Sequence, residues 1–479
     1  MLSPFSTLIA ERPRYLGAAW AQSVAAALIG LALSASAAAQ PTTMPPARGM
    51  TLEDAIGYAR EHQPAVQAAV ARIKASLADA RATRSQWLPY FAAVAQLVGG
   101  TSNNTTTSNF TGGGVDLPRI GGTTVTAQGS LQPYPSTVAA LGVTQQVFDF
   151  GRIAAQAAVD DATTDFEKLS AETAWLFVAL GVEEGYFAVQ AARSVLVASE
   201  EAYERSKVHR DLAKAGVDSG MRAPIDLTRS EADLARFDVG RVRARGGLFA
   251  AQAAFAAAVG IPENRLDALG AAPEPAQQPG LREAIDRAAS RDPVIRAAAA
   301  QLKTQEAVTE SIAAQLRPSL LLSGSFSGRE GGAPPAVAAE AAPHGGWVPD
   351  IPNWDVALIF RVPIFDWVVW QRIDASRQRE EVRKAELELV RQGQVAAVQQ
   401  AWVGVDTAEK ALVALAKELE AARANYDQAD NRFRVGLGDI VDLTDAEALR
   451  TEAEIQMALG KFELARQRAI LARLIVENP

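Results

Sequence analysis

The chain contains no cysteine. Disulfides, thiolate zinc sites, Cys nucleophiles and lipidation at an N-terminal Cys are all excluded. Histidine is almost as scarce. His62, His209 and His344 lie far apart, and none falls in a metal-ligand spacing such as His-x-x-x-His. Aromatic residues make up 6 % of the 479 residues, too few for a large globular core, while alanine is abundant enough for long, closely packed helices. The net charge of −8 excludes a broadly basic nucleic-acid surface. Gly112-Gly113-Gly114 and Gly331-Gly332 lack the Lys-Ser/Thr of a phosphate-binding loop and read as flexible loop glycines. The sequence therefore predicts no enzyme, no metal site and no cofactor.

Long apolar runs are missing after the N-terminus. No later stretch gives about 18 uninterrupted apolar residues, so no spanning helix is expected. Residues 1–39 read as a signal peptide. Arg12 and Arg14 supply charge, Ala18 to Leu33 is apolar, and Ala37-Ala38-Ala39 before Gln40 fits a small-residue cleavage site. The alternative is an N-terminal anchor, for which the run is short. Residues 40–50 are a linker. An exported chain without a spanning helix is periplasmic, secreted or in the outer membrane.

What is present is written twice. Leu52, Ala55, Ile56, Ala59, Pro64 and Pro89 meet Leu281, Ala284, Ile285, Ala288, Pro293 and Pro318 at one constant shift. Phe148-Asp149 then meets Phe365-Asp366, and Gly220 with Ile225-Asp226-Leu227 meets Gly436 with Val441-Asp442-Leu443. Paired prolines in order mark a duplicated half rather than a solenoid array. The repeats are 51–270 and 281–479, joined by the proline-rich linker 271–280.

Each half is expected to open with a helix (Leu52–Leu88, Leu281–Leu316) stopped by a proline. A β-hairpin follows, within 90–148 and 319–365. A very long helix comes next, about Arg152–Ala215 and Val369–Arg434, then a glycine break and a last helix. In Trp354–Val362, residues Trp354, Val356, Leu358, Phe360 and Val362 oppose Asp355, Ala357 and Arg361, the period-2 signature of an outer-membrane strand. Gly99–Gly129 and Gly328–Asn353 are the long polar loops. Trp87, Tyr90, Phe91, Phe148, Phe150, Phe365, Trp367 and Trp370 cluster where strand meets helix. They suit an aromatic girdle at a membrane interface, or ordinary junction packing.

Four strands cannot close a membrane barrel. Backbone groups in lipid must be paired, and closed barrels need about eight strands or more. Several copies must share one barrel, and the strand count alone allows two or three. In the last helix, Ala448, Ile455, Phe462, Ala469 and Val476 form one apolar stripe, and Met457, Leu464 and Leu471 a second nearly opposite. Such a helix has a neighbour on either side, in a cylinder wall or buried in a bundle.

These features together resemble the TolC family of outer-membrane efflux proteins, over essentially the whole mature length. The marks are Leu52-Glu53-Asp54-Ala55-Ile56 with Pro64 and Pro89, Phe148-Asp149-Phe150-Gly151-Arg152, and Val435-Gly436-Leu437-Gly438-Asp439 followed by Val441-Asp442-Leu443. The second strand motif, Phe365-Asp366-Trp367-Val368, lacks the Gly-Arg. The resemblance implies a homotrimer, with a twelve-stranded barrel in outer-membrane lipid continuing into a long periplasmic α-helical barrel. It implies an exit duct of a tripartite efflux or type I secretion system in a Gram-negative bacterium, docked to a periplasmic adaptor and an inner-membrane transporter. It implies an adaptor-contact tip at Gly220, Val435, Gly436 and Leu437, and a periplasmic gate of acidic rings from Asp442 and Asp445. Helix-start acids favoured by the dipole are the plainer account of that pair. Gly438 stands where family members can carry an arginine. The alternative function is a periplasmic coiled-coil or adaptor-like protein without a membrane barrel.

Overall fold

The structure is a computed structural model that describes residues 49–100, 134–263, 265–270, 278–331 and 351–476. The signal peptide with most of the N-terminal linker, most of both polar loops and residues 271–277 of the linker between the halves lie outside the described residues.

The chain runs α1 (Leu52–His62), α2 (Pro64–Arg84), β1 (Tyr90–Gly100), β2 (Tyr134–Phe148), α3 (Arg152–Asp218) and α4 (Pro224–Val259). The same order repeats as α5 (Leu281–Arg291), α6 (Pro293–Ala313), β3 (Ser319–Gly331), β4 (Ile351–Arg361), α7 (Trp367–Arg434) and α8 (Ile440–Leu474). A single opening helix is predicted for each half, but the structure has two. Pro64 and Pro293 lack an N–H and cannot continue a helix, so each starts a new one at its first position. Gln63 and Asp292 cap those starts, accepting from Ala65 N and from Val294 N at 2.8 Å. The long helices also overrun their expected ends, to Asp218 in α3 and back to Trp367 in α7.

At 67 and 68 residues, α3 and α7 each extend about 100 Å at 1.5 Å per residue. Such rods have no compact core. They pack side by side: α3 against α2, α4, α6 and α8, and α7 against α6 and α8. The last helix thus has α7 on one flank and α3 on another, as its two apolar stripes require. Leu464, Ala469 and Leu471 are buried there.

The apolar clusters sit at matching levels of the two halves. Around the middle of α3, Val182, Tyr186 and Val189 pack on Ala55, Ala59 and Phe255. Around the middle of α7, Val398 and Val405 pack on Ala284, Ala288 and Leu464. An aromatic ties each cluster to the segment outside it. The Tyr186 hydroxyl donates to Leu269 O at 2.6 Å, and Trp402 Nε1 donates to Pro279 O at 3.0 Å.

The four strands form one antiparallel sheet in the order β1-β2-β3-β4. Its outer strands, β1 and β4, each have one edge without a strand partner among the described residues.

Candidate functional site

The sheet is inside out for a protein in water. Strand partners share a face, and the rows Phe91–Val143–Gly324–Val356 and Leu141–Phe326–Trp354 run across it. On that face Phe91, Leu141, Phe326, Trp354, Val356, Leu358 and Phe360 are 59–73 % exposed. The opposite face carries Thr144, Ser323, Ser325 and Asp355, and Ser325 Oγ donates to Asp355 at 2.8 Å. Ser323 and Ser325 are buried. Water would penalise the apolar face, whereas lipid outside and a polar lumen inside suit both faces.

The eight junction aromatics are all exposed, from Trp87 at 38 % to Phe91 at 72 %. Phe148 meets Phe150 edge-on with ring centres 4.7 Å apart, and Phe365 meets Trp367 likewise at 4.6 Å. They gather where the sheet hands over to the helices.

That handover rests on two aspartates. Asp149 is buried and accepts from Gly151 N at 3.0 Å and from Ile153 N. To bring those N–H groups round, the chain takes left-handed turns at Phe150 (φ 53°) and Gly151 (φ 90°). Arg317, ion-paired with Glu310, donates to Gly151 O at 3.3 Å. At the second junction, Asp366 accepts directly from Val368 N and Val369 N at 2.9 and 3.0 Å, with no left-handed residue. Gly151 therefore has no counterpart because that turn needs none.

At the far end, Gly220 (φ 76°) and Gly436 (φ 78°) turn the long helices back. Pro224 opens α4 at its first position, and Asp439 caps α8 by accepting from Val441 N at 3.3 Å. Met221, Val435 and Leu437 are strongly exposed, while Phe433, Ile440 and Leu443 form a small core beneath them. Gly438 is held to glycine by crowding: a Cβ there would lie 2.9 Å from Phe433 N. Asp442 and Asp445 are both exposed on α8, opposite buried Leu443 and Ala446.

Sequence reading misses a buried ionic cluster just above this tip. Arg205 of α3 places Nε 2.9 and 3.1 Å from the two oxygens of Glu447 on α8, a carboxylate only 1 % exposed. Thr451 Oγ1 donates to Glu447 at 3.1 Å. Arg205, Arg423 and Arg450 surround Glu454. Burial pushes the Glu447 carboxyl up, and the Arg205 guanidinium pulls it back down. A partial signal was available: Glu447 follows Leu443 by four residues, on the face of α8 that is buried, where an acid needs a buried cation.

A family model described as outer membrane efflux protein matches residues 55–261 and 284–475, one segment for each half. No curated protein matches by sequence. Among solved structures, the outer-membrane channel OprN is 21 % identical with a TM-score of 0.68, covering 89 % of this chain and 90 % of its own. The Neisseria gonorrhoeae MtrE outer membrane channel is 20 % identical with a TM-score of 0.66, covering 91 % and 93 %. The Campylobacter jejuni CmeC outer membrane channel is 15 % identical with a TM-score of 0.68, covering 88 % and 85 %. With both halves matched in order, the chain belongs to the outer membrane efflux protein family and has the fold of these outer-membrane channels.

Proposed function

We propose that three copies of this chain form the exit duct of a tripartite assembly, receiving cargo from a periplasmic adaptor and an inner-membrane transporter. The observation that carries this reading is the four-stranded sheet, with an apolar outer face and an unpaired edge at either end. Each β4 edge would pair with the β1 edge of the next copy, and cyclic closure leaves no backbone group unpaired in lipid. Residues 1–39 direct export, the repeats 51–270 and 281–479 build the wall, and the polar loops face the cell exterior. The junction aromatics sit at the membrane–periplasm boundary.

The tip is the adaptor contact. Gly220, Val435, Gly436 and Leu437 lie in the two turns, where the apolar side chains of Val435 and Leu437 stay exposed among the described residues. Asp442 and Asp445 form the gate. Both carboxylates are exposed and free of ion pairs among the described residues, and threefold symmetry would gather six of them about one axis. Crowded like charges attract cations and oppose closure.

The test is conductance of the purified protein in planar bilayers, with native mass spectrometry of the same sample. A trimer with ion-conducting steps is expected, and Asp442→Ala/Asp445→Ala should reduce its cation selectivity. A monomer in detergent without conductance refutes the shared barrel. Unchanged selectivity in the double variant would leave both residues as helix-start acids.

A further inference from the structure

The ionic cluster continues towards the tip through one histidine. His209 lies on α3, its side chain only 8 % exposed. Its Nε2 is 3.1 Å from the Tyr426 hydroxyl and 3.7 Å from Asp430 Oδ1, both on α7. These contacts join the first helical hairpin, α3–α4, to the second, α7–α8. The charged groups acting on the ring are Asp430 and Arg434 from α7 and Arg205 from α3. From α8, Glu447 and Glu454 engage Arg205. On the α4 side, Asp233 is paired with Arg236 of its own helix. Asp430 is itself held by Arg434 at 2.8 Å.

Hydrogen-bond polarity makes this contact sensitive to protons. Burial, with Glu447 and Asp430 nearby, pushes Tyr426 up to about 12. The phenol therefore keeps its proton, and in the tautomer of neutral His209 whose Nε2 is bare it donates that proton to Nε2. A second ring proton occupies Nε2 and reverses the polarity, so that the phenol must turn its oxygen to accept. It also places a cation between Arg205 and Arg434 in a poorly hydrated site.

We propose that the His209 contact between α3 and α7 is a proton-responsive joint, and that acidification releases the first hairpin from the second near the tip. The sign follows from the environment. Burial is the largest influence and lowers the imidazole below its ordinary value; Asp430 raises it, and Arg434 and Arg205 lower it further. The joined form thus binds a proton less readily than the released one. Stability of the joint is present above the ordinary histidine range and is lost as pH falls through and below it. Glu447 titrates with the opposite sign, since burial favours its protonation in the joined form. The consequence for conduction rests on the export-duct reading; the joint itself does not.

Electron–electron distance measurement on the purified full-length protein tests this. Nitroxides at Met221→Cys and Leu437→Cys report the two tips, and the chain has no cysteine to compete. Between pH 8 and pH 5 the population at longer tip-to-tip distance should grow several-fold. With His209→Gln, whose amide oxygen still accepts from Tyr426 but does not titrate, it should stay level or shrink. Asp430→Asn removes the acid that favours the imidazolium and should move the transition to lower pH. An unchanged wild-type distribution, an undiminished response in His209→Gln, or a transition in Asp430→Asn that is unmoved or moved upward overturns the joint. Failure of the duct reading would show separately, as absent conductance.

Discussion

The Arg222 guanidinium of the first tip lies 3.7 Å over the ring of Phe433 in the second and donates to the Phe433 carbonyl at 2.8 Å. Gly216 makes room for it, since a Cβ there would meet Arg222 Cδ at 2.7 Å. A stacked cation and a charge-assisted hydrogen bond together are worth about 2 kcal/mol at a partly buried site. Arg222→Ala should therefore raise amide exchange in 432–438 by about 30-fold, read by mass spectrometry. Arg222→Lys keeps the charge but not the planar stack, and should fall between. Equal exchange in all three proteins would show that this contact carries no weight.

The sheet makes a sharper prediction about its two faces. Val356 is exposed on the apolar face and pairs with Gly324, near the middle of β4. An arginine in lipid at mid-depth costs about 2–4 kcal/mol. Val356→Arg should lower the folded fraction recovered from urea into vesicles by more than tenfold. Ser325→Ala, on the other face, loses one hydrogen bond to Asp355 and should cost about 1 kcal/mol. Equal losses at the two positions would contradict the assignment of faces.

Much of this was legible in the sequence, because each legible feature depends on local periodicity. Alternation of Trp354, Val356, Leu358 and Phe360 against Asp355 and Ala357 gave β4 its faces, and the repeat gave the order of elements. The helical period runs unbroken through Gln63 and Asp292 and hides the division there; Pro64 and Pro293 mark it, since a proline inside a helical period starts a new helix. The buried place of Glu447 hinted at a cation, but that the cation is Arg205, and that Arg222 staples the tips, could not be read. Both contacts join residues of different halves, and no local period encodes which face of α3 meets α8.

The two helix caps at the junctions should differ in what their loss costs. Asp149 is buried and serves one N–H within a left-handed turn and one beyond it, whereas Asp366 is partly exposed and caps an ordinary helix start. Loss of a cap costs about 0.5–2 kcal/mol. Asp366→Ala should lie at the lower end, and Asp149→Ala at or above the upper end, because it also strands the N–H of Gly151. Urea midpoints of the two variants check this; a greater loss for Asp366→Ala would reverse the ranking.

Glu183 lies at the middle of α3, between buried Val182 and a neighbour, Glu184, that is paired with Arg466 at 3.0 Å. Burial first, and the charge of Glu184 second, push the Glu183 carboxyl up to about 7. Its value in the unfolded chain is the ordinary one, near 4.5. The folded form therefore holds this proton more tightly than the unfolded form. The stability it contributes is fully present below pH ~4.5 and is lost as pH rises through about 7. Glutamine keeps the shape and removes the ionisation. Glu183→Gln should raise the thermal midpoint relative to the parent protein at pH 8, and the gap should close towards pH 5. Scanning calorimetry of both proteins at the two pH values cancels every other titrating group. A gap that is the same at pH 5 and pH 8 would mean that Glu183 ionises as freely in the wall as in water.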